Sequence, residues 1–221
     1  MLLNGVFVNS GAIILGSLIG AILRNITEEM KDTVTKGIGL GVIALGIQMA
    51  IKTETFTIVI ISLCLGGMLG EWLGIEARMN RLGLYLERRF SRGNSNFSEG
   101  FVTASLIFVI GSMGIIGSIE SGVSLNHTTL YTKAVMDGFL SIMLTASLGV
   151  GVLFSSVPIL LYQGSIVLLA SLIVRFVPPE LMDSLMGEIS AIGGILILGI
   201  GINLTKTSYF RVSNFCRVSV L

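Results

Sequence analysis

Long apolar segments constrain the fold of this chain more than any other feature. Seven of them occur in the 221 residues: Asn4–Leu23, Gly37–Ile51, Thr55–Gly74, Phe101–Ile119, Ala134–Phe154, Val157–Val177 and Ile189–Leu204. Most have about the 20 residues that a helix needs to cross a hydrocarbon core. Their polarity does not alternate residue by residue, as it does in the strands of a membrane barrel. The pattern therefore predicts an all-α integral membrane protein with about seven transmembrane helices.

Composition supports this class and excludes several others. Hydrophobic residues make up 52% of the chain and charged residues 12%, whereas soluble domains have about 25% charged residues. The formal net charge of +1 leaves no footprint for a nucleic-acid partner. One histidine and two cysteines lack the spacing of a metal site, and neither a metal nor a cofactor is expected. The N-terminus lacks the basic region of a signal peptide, so the first apolar segment is interpreted as a retained span.

The run Gly111–Gly122 (GSMGIIGSIESG) interrupts the fourth segment with small residues and ends near a carboxylate. Its glycines have low helix propensity, and its serines can bond to backbone groups that a helix leaves free. One interpretation is a broken helix whose backbone lines a cavity. The other is a smooth helix whose glycine–serine face packs on a neighbour. The sequence favours neither.

The one substantial polar stretch, residues 75–92, combines apolar residues at helical spacing with arginines. The pattern predicts an amphipathic helix at the membrane surface, with a cytosolic helix packed on the bundle as the alternative. The arginines are Arg78, Arg81, Arg88, Arg89 and Arg92. Basic loops favour the cytoplasmic side, which predicts an external N-terminus and a cytoplasmic C-terminus.

The two ends of the chain resemble each other. Asn9–Gly11 matches Gln163–Ser165, and Gln48 matches Asn203, at an almost constant offset. The chain then divides as a single membrane domain, 1–221: a first repeat pair at 4–53, a third span at 55–74, the amphipathic helix at 75–92, a central hairpin at 101–154, a second repeat pair at 157–207 and a cytoplasmic tail at 208–221. Since the first and sixth spans are five positions apart in chain order, they cross in opposite senses, so the repeat would be inverted, as in many transporters. The alternative is an old duplication kept only for folding.

Polar residues within the apolar segments are costly in lipid, so each needs a partner or a function. The candidate pathway consists of Asn9, Gln48, Ser112, Gly114, Ser118, Glu120, Asp137, Gln163 and Asn203. Alternatively, the four amides serve only to form hydrogen bonds between neighbouring helices. Glu120 and Asp137 could meet at the outer end of the central hairpin and hold a cation or a proton. Alternatively, Asp137 forms an interfacial ion pair with Lys133.

Four motifs carry a family resemblance: GSMGIIGSIESG, KAVMDG (Lys133–Gly138), LGVGVLFS (Leu148–Ser155) and LYQG (Leu161–Gly164). With them the chain resembles the bacterial multi-pass membrane family of YdfK/YqgA type, which is labelled a domain of unknown function. The resemblance covers nearly the whole chain. It implies a protein of the bacterial inner membrane and supplies no activity.

We therefore expect a transporter or channel for a small ion or solute, with the lipid bilayer as its surroundings. The alternative is a scaffold or sensor that acts through the basic amphipathic helix. An enzyme is not expected, because no nucleophile–base pair or metal-ligating motif occurs. Glycine pairs such as Gly16–Gly20 and Gly37–Gly41 suit close helix packing, within one chain or in a homodimer.

Overall fold

The computed structural model describes residues 2–23, 27–53, 55–90 and 97–207. These residues form ten helices: α1 (Asn4–Ile22), α2 (Glu28–Ala50), α3 (Phe56–Leu73), α4 (Ile75–Phe90), α5 (Phe97–Val109), α6 (Ser112–Ser124), α7 (Thr128–Leu148), α8 (Gly151–Phe154), α9 (Ser156–Phe176) and α10 (Pro179–Leu204). All regular structure in these ranges is helical, which confirms the predicted class. The predicted tail at 208–221 lies outside the described residues.

Five helical stretches are long and apolar enough to cross a membrane. They are Asn4–Ile22, Asp32–Ala50, Phe56–Leu73, Gly151–Phe176 and Ser184–Leu204, and the bent pair α5–α6 adds a sixth if it counts as one span. Large apolar side chains lie on the outside of this bundle, among them Trp72 with 82% and Phe176 with 78% of its surface exposed. Such a surface requires lipid as its solvent. The protein is therefore a helical membrane protein.

Several predicted boundaries were wrong. Helix α2 begins at Glu28, well before Gly37, because the Thr27 hydroxyl caps it by accepting from the Met30 backbone N–H at 3.3 Å. Helix α7 begins at Thr128 and ends at Gly149, whose φ of +96° breaks the predicted fifth segment. The remainder of that segment, α8, continues into α9 as one apolar stretch. Helices α2 and α7 both begin in polar residues, so the apolar runs alone did not show where they start.

Helix α7 is absent from the five or six spans identified by length and composition, whereas seven were predicted. It carries Lys133, Asp137 and several threonines and serines, which lower its hydropathy. It nevertheless lies alongside α1 over nearly its whole length. A Cβ atom at Gly5 would lie 2.8 Å from the Leu130 side chain, and one at Gly20 would lie 2.9 Å from the Thr145 side chain. The two helices therefore run parallel, side by side.

Helices α1 and α9 run in opposite directions. Helix α6 runs parallel to α9, because Gly114 packs beside Gln163 and Gly122 packs on Val167. The turn after Ser124 reverses the chain, so α6 and α7 are antiparallel neighbours. Since α7 follows the direction of α1, α9 must oppose it. The relation between α1 and α9 positions the candidate site.

Helices α2 and α10 form a close antiparallel pair. Gly39 packs on Gly201, and Gly46 packs on Gly194. Small residues at such crossings let two backbones approach each other and gain dispersion contacts. At one end of the pair, the Asp32 carboxylate accepts from Lys206 at 2.8 Å and lies 2.6 Å from Lys36. The hydrogen bond to Asp32 raises the pKa of Lys206 above its usual value.

Substituting Gly46 with alanine is expected to destabilise the protein by about 1–3 kcal/mol, because small-to-large changes in a packed interface force the backbone to shift. The added Cβ would lie 2.7 Å from both the Gly194 carbonyl oxygen and the Leu198 nitrogen. The measurement is thermal unfolding of the purified protein in detergent. Gly11→Ala on α1 is the control, since nothing lies within 4 Å of its added Cβ. Equal melting temperatures of the two variants would contradict the close packing of α2 on α10.

The predicted amphipathic helix is present as α4. Gly74, with a φ of +59°, ends α3 and turns the chain into it. Helix α4 packs on α5 where Gly83 meets Ser98. Leu84 and Tyr85 stay exposed beside its arginines. The surface location of α4 therefore stays a prediction, and Arg92 lies outside the described residues.

Candidate functional site

Helix α7 carries a polar side chain every four residues. The five members are Thr129, Lys133, Asp137, Ser141 and Thr145, all buried except the half-buried Thr129. With 3.6 residues per turn, each step of four residues goes about 40° past a full turn, so the row winds by about 160° around α7. Thr129 lies beside Gly117 of α6 and Thr145 beside Gly20 of α1. We call this row the polar ladder. At 1.5 Å per residue it extends about 24 Å, most of a hydrocarbon core of about 30 Å.

A buried ion pair forms the middle of the polar ladder. The Lys133 ammonium lies 2.9 Å from Asp137 Oδ1 and 2.7 Å from Oδ2. Only 8% of the Lys133 surface and 6% of the Asp137 surface are exposed. The neighbouring Gly138 packs on Ala12, near the centre of α1, so the pair is level with the middle of that helix. The Lys133–Asp137 ion pair that the sequence offered as the alternative is therefore present, and its depth in the membrane stays a prediction.

An amide pair connects the two ends of the chain. Asn9 on α1 donates through Nδ2 to Gln163 Oε1 on α9 at 3.1 Å, and both residues are fully buried. The bond leaves Asn9 Oδ1 and Gln163 Nε2 without a hydrogen-bond partner among the described residues. Unpaired polar groups in an apolar interior are costly. The two atoms are therefore available to a solute or to water.

Gly114 brings the ion pair and the amide pair together. A Cβ atom there would lie 3.3 Å from Lys133 Cε and 3.4 Å from Gln163 Nε2. Gly114 belongs to the first turn of α6, so three helices meet at this point. A side chain at this position would need the lysine or the amide to shift by a few tenths of an ångström. The cluster of Lys133, Asp137, Asn9, Gln163 and Gly114 is called the central site below.

The helix break that the sequence left open is present. Helices α5 and α6 meet at an angle of 61°, and between them Gly111 adopts a φ of +135° and a ψ of 139°. No side chain caps α6, so the N–H groups of its first turn lack helical partners. Ser112, the first residue of α6, is half-buried. The break therefore turns the positive end of a half-helix inward, next to the central site.

Glu120 does not meet Asp137. Its Oε2 accepts from the Thr129 hydroxyl at 2.6 Å, two turns along α7 from Asp137. This places a half-buried carboxylate at one end of the polar ladder. Ser118 is fully buried and donates to the Gly114 carbonyl oxygen at 2.6 Å, within its own helix. This bond lies in the turn of α6 that follows Gly114.

The other end of the polar ladder adjoins α1. Ser141 donates to the Gly138 carbonyl oxygen at 2.7 Å and approaches the Ile13 carbonyl oxygen at 3.2 Å. Beyond it, the buried hydroxyls of Ser17 and Thr145 have no hydrogen-bond partner among the described residues. Polar groups thus continue from the central site toward the end of α7.

The four amides that the sequence grouped together do not form one cluster. Asn9 and Gln163 meet, whereas Gln48 is exposed on α2 and Asn203 is half-buried in the last turn of α10. Neither of these two belongs to the central site. A sequence repeat gives their positions along a helix but does not say which neighbour each one faces.

Sequence reasoning missed Lys133, Ser141 and Thr145 as members of the site. Their signal is the spacing of the polar ladder, one polar residue every four positions over four steps. The apolar run that predicts this span begins at Ala134 and so leaves Lys133 outside it. Within the described ranges, no group of three or more histidine, cysteine or carboxylate side chains is placed to hold a metal ion.

Comparison with known proteins yields relatives over nearly the whole chain. A protein of Bacillus subtilis (strain 168) described as uncharacterized membrane protein YdfK is 34% identical over 215 residues, covering 95% of this chain and 90% of the relative. A protein of Escherichia coli (strain K12) described as uncharacterized protein YqgA is 27% identical over 216 residues, with the same coverage. No solved structure matches. The model of DUF554, a protein family of unknown function, matches residues 4–218, and the chain belongs to that family.

Proposed function

We propose that the protein is a transporter or channel that moves a small ion or solute along the polar ladder of α7. One observation carries this proposal: the buried Lys133–Asp137 ion pair lies about halfway along the polar ladder. The ladder is long enough to cross most of a bilayer. Ionisable residues inside membrane segments are typical of ion and solute pathways. The proposal assigns movement of a solute rather than bond chemistry.

Stability alone gives little reason to keep such a pair. Desolvating two charges costs several kcal/mol each, and well-packed hydrophobic residues in their place are often as stable or more stable by about 1–4 kcal/mol. Gln163 and Asn9 add unpaired amide groups to the same place, which increases the cost. A solute that binds these groups would compensate it. The site therefore fits a function better than it fits a structural role.

We also propose that the chain crosses the membrane seven times. Helix α7 is then one of the crossings, although its polar residues lower its hydropathy. Its side-by-side packing with α1 supports this count. Alternation then gives an external N-terminus and a cytoplasmic C-terminus, with α4 at the cytoplasmic face of a bacterial inner membrane, because basic loops stay in the cytoplasm.

We further propose that the first two and last two spans form an inverted repeat. Asn9 hydrogen-bonds to its sequence counterpart Gln163. Gly46 packs on the Gly194 oxygen and the Leu198 nitrogen, each 2.7 Å from its added Cβ. Its counterpart Gly201 does the same with the Gly39 oxygen and the Ile43 nitrogen, each at 2.8 Å. Reciprocal contacts of this kind are what a two-fold axis in the membrane plane would produce.

Aqueous access to the site can be measured with single cysteines. Cys64, which is exposed, and Cys216 are first replaced with serine. Cysteines introduced at Asn9, Ser112 and Gln163 are expected to react with a membrane-impermeant thiol reagent. Ile159→Cys, one turn before Gln163 and in the apolar core, is the control and is expected not to react. If all four positions stay unreacted, the hydrated route is wrong.

Transport itself is tested in proteoliposomes. The purified protein is expected to accelerate the flux of at least one member of a panel of small cations, anions and neutral solutes. Folded protein that accelerates none of them would favour the alternative, a scaffold or sensor. The observation that favours this second function is the row of exposed arginines on α4, which would read an anionic lipid surface.

A homodimer also stays a prediction. The Gly16 face packs on Gly138 and Ser141 within the chain, so it is not available to a second copy. The Gly37 and Gly41 face of α2 is exposed, with nothing within 4 Å of an added Cβ. We propose this face for a dimer contact, and the oligomeric state of Gly41→Leu in detergent tests it.

A further inference from the structure

We propose that the transported solute is a small monovalent anion, which binds Lys133, Gln163 and the first turn of α6 and moves together with one proton carried by Asp137. This inference rests on the proposed transport function and names its substrate class. It follows from the donors at the central site and from the balance of charge there.

The groups that converge on Gly114 are hydrogen-bond donors. The Lys133 ammonium has three N–H groups, and its aliphatic chain lies against Gly114. Gln163 is fully buried, and its Nε2 faces the same glycine without a hydrogen-bond partner among the described residues. The uncapped first turn of α6 adds backbone N–H groups and the positive end of its dipole. Such a set recognises an acceptor with negative charge.

A cation is disfavoured at the same place. It would lie against the Lys133 ammonium and the positive end of α6, and both would repel it. The buried acceptors at the central site without a hydrogen-bond partner among the described residues are Asn9 Oδ1 and Asp137 Oδ2, and the second lies 2.7 Å from the Lys133 ammonium, which neutralises it. One amide oxygen does not replace the hydration shell of a cation.

Charge balance requires a proton to accompany the anion. The central site is neutral when Lys133 is paired with Asp137, so an anion alone would give it a net negative charge in a medium of low dielectric. A proton from the aqueous phase that binds an Asp137 carboxylate oxygen restores neutrality and releases the lysine. The ammonium then donates to the anion instead. On the other side the anion and the proton leave, and the Lys133–Asp137 pair forms again, so no net charge crosses.

Asp137 is the carboxylate best placed for this role. Among the helices packed on α7, α1 and α8 contain no ionisable side chain, and the one in α6 is Glu120, which accepts from Thr129. The charges of α2 lie between residues 28 and 36, and that of α5 is the exposed Glu99. On α9 they are Tyr162 and the exposed Arg175, and α7 itself adds the exposed Tyr131. Of the described side chains, that of Asp137 contacts the lysine.

The close approach at Gly114 allows an anion of a few atoms to contact the lysine and the amide together. The lysine and the amide lie within 3.4 Å of the position that a single methyl group would occupy there. Nitrate and chloride are of suitable size, and their conjugate acids do not leak through a bilayer as those of weak acids do. They are therefore the probes of choice.

The test uses proteoliposomes of phosphatidylethanolamine and phosphatidylglycerol with a pH-sensitive dye inside. An inward nitrate or chloride gradient is expected to acidify the interior faster than in empty vesicles. A potential imposed with potassium and valinomycin should leave the rate unchanged, because the proton and the anion cross together. Acidification that follows the imposed potential would overturn electroneutral coupling.

Two variants separate the roles of the pair. Lys133→Met is expected to lower nitrate flux by about tenfold to a hundredfold, the loss of one charge-assisted hydrogen bond. Asp137→Asn keeps the size of a protonated aspartate, so nitrate should still enter, now driven by the potential and without acidification. The double variant Lys133→Met/Asp137→Leu carries no stranded charge, should fold and should not transport nitrate. If vesicles with the Asp137→Asn variant acidify as fast as those with wild type, Asp137 does not carry the proton.

The chain offers matched controls and separate outcomes. Asp32 and Lys36 form an exposed pair with the same four-residue spacing, so Asp32→Asn and Lys36→Met should transport like wild type. If a cation or a neutral solute crosses but nitrate and chloride do not, the anion as substrate is wrong and the transport function stands. If no solute moves, transport is wrong. A nitrate-dependent rise in the melting temperature of wild type but not of Lys133→Met would then still support the anion site, and equal rises or none would overturn it.

Discussion

Replacing Lys133 with methionine is expected to destabilise the folded protein by about 3–5 kcal/mol, because it leaves the Asp137 carboxylate buried without its partner. Both carboxylate oxygens lie within 2.9 Å of the lysine nitrogen, and 6% of the aspartate surface is exposed. Among the described residues, no second cation contacts this carboxylate to compensate for the lost ammonium. The free energy of unfolding in mixed detergent micelles measures the effect.

Two comparisons isolate the stranded charge. Lys36→Met removes the same kind of side chain from the exposed pair with Asp32 and is expected to cost about 0–1 kcal/mol, since surface pairs contribute little. Lys133→Met/Asp137→Leu removes both buried charges and should recover most of the stability of wild type or exceed it. If Lys133→Met costs no more than Lys36→Met, the lysine and the aspartate are not a buried pair.

The double variant also separates structure from function. A pair kept only for folding would leave a fully active protein once hydrophobic residues replace it. A pair that binds the solute would leave a stable protein that does not transport. Stability and transport can therefore be measured independently on this one variant.

Much of the fold could be predicted from the sequence because lipid imposes strong rules on composition. Apolar segments identified the helices, and the spacing of apolar residues with arginines identified α4. The ends of helices were less predictable, since a helix continues into polar residues at the membrane surface. Thr128–Lys133 lowered the hydropathy of α7 enough to hide its first turns.

The candidate site was predictable in part for a related reason. The glycines and serines around Gly111 left a broken and a smooth helix equally open, and the structure has the break. Repeat matching paired Asn9 with Gln163, which are hydrogen-bonded to each other. Gln48 carried the same signal but faces outward. Which way a helix turns is decided by its neighbours, and one sequence contains no direct record of them. The tertiary contacts were needed to connect Lys133 with Gly114 and Gln163.

The bend between α5 and α6 depends on the backbone of Gly111 rather than on the space around it. Its φ of +135° and ψ of 139° lie in a region that essentially only glycine adopts. A Cβ atom there would have the Met49 methyl group at 3.7 Å as its nearest neighbour, which is ordinary van der Waals contact. An alanine would therefore fit sterically but strain the backbone.

Gly111→Ala is accordingly expected to cost about 1–3 kcal/mol of stability, the strain of one residue in such a conformation. The strain is relieved if α5 and α6 straighten, and straightening moves the first turn of α6 away from Gln163 and Lys133. Transport should then fall by about tenfold or more, since the donors of the central site no longer converge.

Flux in proteoliposomes and thermal unfolding in detergent measure the two effects. Gly11→Ala, at a helical glycine with nothing within 4 Å of its added Cβ, is the control and should lose neither stability nor transport. If both variants behave alike, the break at Gly111 is not what holds the half-helix against the ion pair.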